Sequence, residues 1–269
     1  MTVRGRAPVP ITLDEAAPGR RRVAVGVFDG VHLGHREVMR GADCVLTFDP
    51  HPLAVLAPDH APELLTTLQR RVQLIAALGI PEVIVIPFDA EFAGRTAQRF
   101  IDEVLVDTLG ATDVRVGANF RFGHRGAGDP AMLGADPRFR TRAVPLVSAI
   151  GGVVSSTVVR ALLAGGDVAA AAQLLGAPFA LDVRPLTGRT GETVAPRGCI
   201  VPPDGRYAVR VTTPAGAPHA AVVDVITAGG RRIVHTAPED ADGRGGGAVR
   251  RLEFLRCLTL GRAAASAAA

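Results

Sequence analysis

The chain has 269 residues, 48% of them hydrophobic, and a formal net charge of +4. That length can bury a substantial core and supports two domains, and no apolar run is long enough to cross a bilayer. The sequence contains no lysine, which excludes a P-loop with its Gly-Lys-Ser/Thr and any reaction through a lysine Schiff base.

Residues 1–22 read as a lead-in, with a short strand around Val9-Pro10-Ile11 and no apolar segment of the signal-peptide type. Val23-Ala24-Val25 reads as a buried strand, and Arg36 to Arg40 as the start of a helix. Between them lies Gly26-Val27-Phe28-Asp29-Gly30-Val31-His32-Leu33-Gly34-His35, whose glycines and Asp describe a tight βα turn. A helix leaving such a turn points its unpaired N–H groups back at it, which suits a phosphate. His32 and His35 can face the same space and donate to phosphate oxygens, while Gly34 leaves room for a flat ring. Plainer readings are ordinary turn glycines, a structural His pair, or half of a zinc site whose other ligands are not evident nearby.

Asp43 to Phe48 reads as the second strand, ending in Thr47-Phe48-Asp49-Pro50-His51-Pro52. This run is either a Pro-rich turn or a rigid presentation of Phe48 and His51 at the ligand-binding edge of an open α/β sheet. Thr66 to Leu78 carries Leu68, Val72, Ile75 and Ala76 at helical spacing and stops at Gly79. Glu82 to Phe88 is an apolar third strand, Thr96 to Leu109 a helix, and Asp113 to Gly117 a fourth strand. The loop after it, Ala118 to Asp129, mixes glycines with Phe120, Phe122, Arg121 and Arg125. Its phenylalanines either pin the loop or form an apolar wall for a flat ligand beside cations for its phosphate. Thr141 to Val147 is a fifth strand, and alternating strands and helices argue for a parallel, Rossmann-like sheet.

Val154-Ser155-Ser156-Thr157-Val158-Val159-Arg160 opens another helix, with Ser155 or Ser156 as N-cap and Thr157 and Arg160 on one face. It is an ordinary capped helix with an exposed Arg, or a clamp for phosphates. A helix from Asp167 to Leu175 follows. From Ala180 the composition turns to Gly, Pro, Thr, Val and Arg, with strand-like runs at 206–211, 220–226 and 231–235 that predict a small antiparallel barrel. Asp240 to Gly247 is expected to be a mobile loop and residues 263–269 a disordered tail.

The positive charge fits either nucleic acid or a small polyphosphate. No nucleic-acid-binding motif is present, there is no Trp, and Tyr207 is the single tyrosine, which favours the small anion. Cys44, Cys199 and Cys257 are far apart with no Cys-x-x-Cys pair and fit reduced thiols in a cytoplasmic protein.

The run Gly26 to His35 resembles the His-x-Gly-His signature of the nucleotidylyltransferase superfamily. Within that superfamily, the chain resembles the FMN adenylyltransferase module of bacterial bifunctional riboflavin kinase/FAD synthetases. Pro50-His51-Pro52, the Gly-x-Asn-Phe-x-Phe-Gly run at 117–123 and Ser155-Ser156-Thr157 with Arg160 are similar to further motifs of that family. The resemblance implies a nucleotidylyltransferase domain at 23–180 that transfers AMP from ATP to FMN, with Mg²⁺ bridging phosphates and no side-chain metal ligands. It implies His32, His35 and Arg160 as catalytic residues. Gly26, Phe28, Asp29, Gly30, Gly34, Ser155, Ser156 and Thr157 would bind ATP. Phe48, Pro50, His51, Pro52, Asn119, Phe120, Arg121 and Phe122 would bind FMN. No nucleic-acid or membrane partner is implied.

Two departures stand out. Only eleven residues separate His35 from Thr47, fewer than the family's usual helix and turn. The Gly-x-Pro-Thr-Ala-Asn segment of the riboflavin kinase is missing after Phe179, so 181–262 reads as an eroded kinase-like β domain without kinase activity. A nucleotidylyltransferase for another phosphate acceptor, a non-catalytic flavin-binding paralogue and a basic RNA-binding protein remain as alternatives.

Overall fold

The computed structural model describes residues 9–149, 152–186, 191–213, 217–228, 231–236 and 251–261. The sequence regions 240–247 and 263–269 lie outside them. The chain forms two compact units, one from residues up to Pro62 plus Leu68–Ser148, the other from Glu63–Thr67 plus Ala149 onward.

In the first unit, β1 (Arg21–Val25), α1 (Leu33–Met39), β2 (Cys44–Asp49) and α2 (Pro52–Leu56) are followed by α3 (Leu68–Ala77) and β3 (Glu82–Pro87). Then come α4 (Ala90–Ala93), α5 (Ala97–Arg99), a π-helical run over Phe100–Thr108, β4 (Ala111–Gly117), α6 (Pro130–Ala135) and β5 (Arg140–Val144). The five strands make one parallel sheet in the order β3-β2-β1-β4-β5, as alternating strand and helix signals predict. Neighbouring side chains of a strand point to opposite faces. Val23, Val25, Leu46, Ile84 and Ile86 therefore pack against Phe100, Ile101, Val104 and Leu105 on one side. Ala24, Val45, Val83 and Val85 pack with Val38, Met39, Val72 and Ile75 on the other. The lead-in contributes a bridge from Ile11 to Ile84 rather than a strand.

Two helix starts differ from the sequence reading. α1 begins at Leu33, three residues early, because the His32 side chain caps it; α3 begins at Leu68, two residues late. Just before it, Leu64 bridges to Cys199, with Leu64 N–H on the Gly198 carbonyl at 2.7 Å and Ile200 N–H on the Leu64 carbonyl at 2.9 Å.

The second unit holds α7 (Ser156–Ala164) and α8 (Val168–Leu175); a short ribbon pairs β6 (Ser148–Ala149), whose first residue still counts with the first unit, with β7 (Gly152–Val153). Its main sheet comprises β8 (Phe179–Asp182), β9 (Arg184–Pro185), β10 (Glu192–Val194), β11 (Gly205–Thr212), β12 (His219–Ala228), β13 (Arg231–Thr236) and β14 (Arg251–Leu260). All its pairings are antiparallel, in the order β8-β14-β11-β12-β13-β10-β9. Two register shifts between β11 and β14 bend the sheet toward the barrel that the sequence predicts. Tyr207 lies edge-on to Phe254 and donates its hydroxyl to the Pro203 carbonyl at 2.7 Å, which satisfies a fully buried phenol.

Candidate active site

The loop after β1 has an uncommon backbone. Phe28, Gly30 and Val31 take positive φ values of 55°, 85° and 46°. For a β-branched residue such as Val31 this is strained, and such strain concentrates where a chain must present groups in a fixed way. Burial maintains it, since Phe28 and Val31 are core residues packed beneath β1. A Cβ on Gly26 would sit 3.0 Å from the Phe28 ring, so glycine there lets that ring fold back along the strand end. Phe28 in turn meets the His35 ring edge-on at 5.3 Å.

The two histidines come together as the sequence predicts. Their rings stack at 3.5 Å with 18° between planes. His32 is the N-cap of α1: its Nδ1 accepts the backbone N–H of His35 at 3.2 Å. That bond fixes the chemistry of the ring. With Nδ1 occupied as an acceptor, the proton of His32 resides on Nε2, a neutral tautomer with one donor to offer. Asp29 and Gly30 are buried beside them, and Gly34 lies in the first turn of α1.

β2, the neighbour of β1, ends in the next cluster. The Asp49–Pro50 peptide is cis, and His51 caps α2 by accepting Leu53 N–H on Nδ1 at 3.2 Å, with Pro52 as the first helical residue. Pro50 is exposed and His51 half-buried, whereas Phe48 turns into the core against Phe88 and Phe92. β4, the other neighbour of β1, leads into the third cluster. Phe122 is buried on Phe100 and is the pin of this loop, and Phe120 is half-buried and stacks on Phe122 at 5.6 Å. A Cβ on Gly128 would meet the Phe122 ring at 2.6 Å and Ala97 at 2.8 Å, which is why the loop needs glycine there. Asn119 and Arg121 are exposed, and Arg121 lies 3.4 Å from Asp129.

All three clusters thus stand at the carboxyl ends of three adjacent parallel strands, the edge at which open α/β sheets bind ligands. The Ser155-Ser156-Thr157 run and Arg160 belong to the other unit. Ser155 is the N-cap of α7, accepting Val158 N–H at 3.2 Å; Ser156 is half-buried and Thr157 exposed. Arg160 donates from Nε to the Glu63 carbonyl at 2.6 Å.

One residue escaped the sequence reading. Arg71 of α3 is fully buried and directs Nη1 to the carbonyls of Val27 and Phe48, each at 3.0 Å, and to Thr47 Oγ1 at 3.2 Å. Its signal is positional: with Leu68, Val72 and Ile75 it occupies the i, i+3, i+4, i+7 stripe that faces the core.

A parallel sheet with a histidine-bearing βα loop at its carboxyl edge defines an enzyme of the nucleotidyltransferase kind. Comparison with known proteins makes this specific. The family model described as FAD synthetase matches residues 14–158. The bifunctional riboflavin kinase/FMN adenylyltransferase of Escherichia coli K12 is 36% identical over 210 residues, covering 70% of this chain and 67% of that protein. The protein of the same name from Listeria monocytogenes is 36% identical over 63% of this chain and 58% of its own length. The Bacillus subtilis protein is 31% identical over 70% of this chain and 66% of its own length. A solved structure from Streptococcus pneumoniae, titled a macrolide-efflux protein, superposes with a TM-score of 0.81 at 24% identity, covering 94% of this chain and 91% of that one; it speaks to fold alone. The chain belongs to the FAD synthetase family.

Proposed function

We propose that this enzyme transfers AMP from ATP to FMN, giving FAD and pyrophosphate, and that it does not phosphorylate riboflavin. The observation that carries the transfer is the stacked His32–His35 pair in a strained, buried loop at the carboxyl edge of the sheet. In this reaction an FMN phosphate oxygen forms a bond to the α-phosphorus of ATP as the bond to the bridging β-phosphate oxygen breaks. The attacking oxygen is already anionic near neutral pH, so the enzyme needs no strong base. Catalysis comes from alignment and from donors aimed at the charge that develops on the leaving pyrophosphate. The Nε2–H of His32 is one such donor, and His35 supplies the second.

Gly26, Phe28, Asp29, Gly30, Gly34 and Ser155 are assigned to ATP, and Arg160 with Ser156 and Thr157 to its β/γ end. Pro50, His51, Pro52, Asn119, Phe120 and Arg121 are assigned to FMN, with Phe48 and Phe122 supporting them from the core. Mg²⁺ enters as part of the substrate MgATP. Cys44, Cys199 and Cys257 are thiols rather than disulfide partners, which suits a cytoplasmic enzyme. The absence of kinase activity rests on residues 181–197, which contain no Gly-x-Pro-Thr-Ala-Asn run.

Purified protein incubated with MgATP and either FMN or riboflavin, followed by chromatography, tests both halves. FAD forms from FMN, and riboflavin is returned unchanged. Absence of FAD contradicts the first half, and FMN made from riboflavin contradicts the second.

A further inference from the structure

We propose that Arg71 is a positioning residue that fixes the nucleotide loop and the flavin corner against each other; the inference rests on the reading of function above. Arg71 Nη1 donates to the carbonyl of Val27, the residue before the strained Phe28, and to the carbonyl of Phe48, at the end of β2 just before Pro50-His51-Pro52. Thr47 Oγ1 sits between them, accepting from Arg71 at 3.2 Å and donating to the Val27 carbonyl at 2.9 Å. One guanidinium nitrogen and one hydroxyl therefore tie together two segments twenty residues apart in sequence.

Val72 and Ile75, on the same face of α3, are apolar core residues, whereas Arg71 places a charge among them, fully buried. A fully buried cation carries a heavy desolvation cost that only specific polar partners offset. Among the partners of this cation are the two strand-end segments and the hydroxyl between them. In-line transfer between two bound substrates depends on their separation, and a misplacement of about 1 Å costs on the order of 10²-fold in rate. Arg71 touches neither reacting group, so it acts on the distance between the subsites rather than on the chemistry.

The test compares wild type with Arg71→Met, Arg71→Lys and Thr47→Val, measuring FAD formation from FMN and MgATP and a thermal melt for each. Arg71→Met keeps the side-chain bulk without the donors. Its kcat per folded molecule falls on the order of 10²-fold. Arg71→Lys recovers part of that loss, because an ammonium offers three hydrogens to the three acceptors. Thr47→Val, which removes only the bridging hydroxyl, lowers kcat by about threefold to tenfold. A merely structural arginine lowers the melting temperature and leaves kcat per folded molecule unchanged. A folded Arg71→Met enzyme with wild-type kcat, or a Lys variant no better than Met, overturns the proposal. If Arg71→Met does not fold, an unchanged kcat for Thr47→Val overturns it. Wild-type protein that makes no FAD removes the reading of function and this inference with it. Active wild type beside an equally active Arg71→Met removes the inference alone.

Discussion

The parallel sheet keeps a buried arginine at each end, and the two do different work. At the amino edge, Arg21 opens β1. It meets Glu82, at the start of β3, through Nε at 2.6 Å and Nη2 at 3.0 Å, and also reaches the carbonyls of Leu109 and Ala17 at 3.1 and 2.7 Å. At the carboxyl edge, Arg71 bonds to Val27, Thr47 and Phe48. Arg21 closes the edge that carries no candidate site residue, with a bidentate ion pair and two backbone carbonyls around it. Arg71 sits behind the loops that carry the site. The same residue type, buried at both places, is thus a fastener at one end and a spacer for two subsites at the other. The carboxyl edge has strained φ values at Phe28 and Val31, and the described residues of the amino edge have none outside glycine.

This contrast is open to direct attack. Arg21→Met removes one partner of a pair in which the Glu82 side chain remains 27% exposed. Breaking a fully buried pair costs about 3–5 kcal/mol; with water able to reach Glu82 the loss here is ~2 kcal/mol, lowering the melting temperature by about 4–8 °C. Its kcat, measured well below that melt, stays at the wild-type value. A large kcat loss in Arg21→Met would erase the distinction between the two edges.

Acid gives a gentler version of the same comparison. The Arg21 hydrogen bond is the main cause holding the Glu82 carboxyl below its ordinary range, against a smaller opposing push from burial. A carboxyl with a lowered folded-state value contributes stability that is complete above its unfolded value and is lost as pH falls through the folded one. The wild type therefore keeps this contribution from neutral pH down to the ordinary carboxylate range and loses it in more acid solution. Arg21→Met lacks it throughout, so the stability difference between the two proteins shrinks in acid. Urea titrations from pH 7 downward measure that gap, and a gap that widens in acid contradicts the assignment.

Much of the site was legible because its motifs are local. The glycines, the histidine pair, Pro50-His51-Pro52 and the Asn119–Phe122 run sit in consecutive residues, and strand alternation alone places their loops at one edge of a sheet. Orientation was harder. The spacing of Phe48 and Phe122 says nothing about which way each ring turns, and both face the core. The start of α1 lies earlier than its sequence suggests because a histidine cap is not among the usual Ser, Thr, Asp and Asn signals. The π-helical run over Phe100–Thr108 shifts hydrogen bonding without disturbing the apolar stripe that predicts a helix. The stripe position of Arg71 marks it as core-facing, but nothing local marks what it holds. Its partners, Val27, Thr47 and Phe48, lie 23 to 44 residues earlier in the chain, and two of its three acceptors are backbone carbonyls that no sequence pattern marks. The pairing of Leu64 with Cys199 and Ile200 is long-range in the same way.

The central claim is that the stacked histidines stabilise the transferring phosphates. The most direct measurement is the steady-state rate of FAD formation by His35→Ala beside wild type, with the melting temperature of each recorded. The account predicts a fall in kcat on the order of 10²-fold or more with the fold intact. A His35→Ala enzyme that makes FAD at the wild-type rate would contradict it.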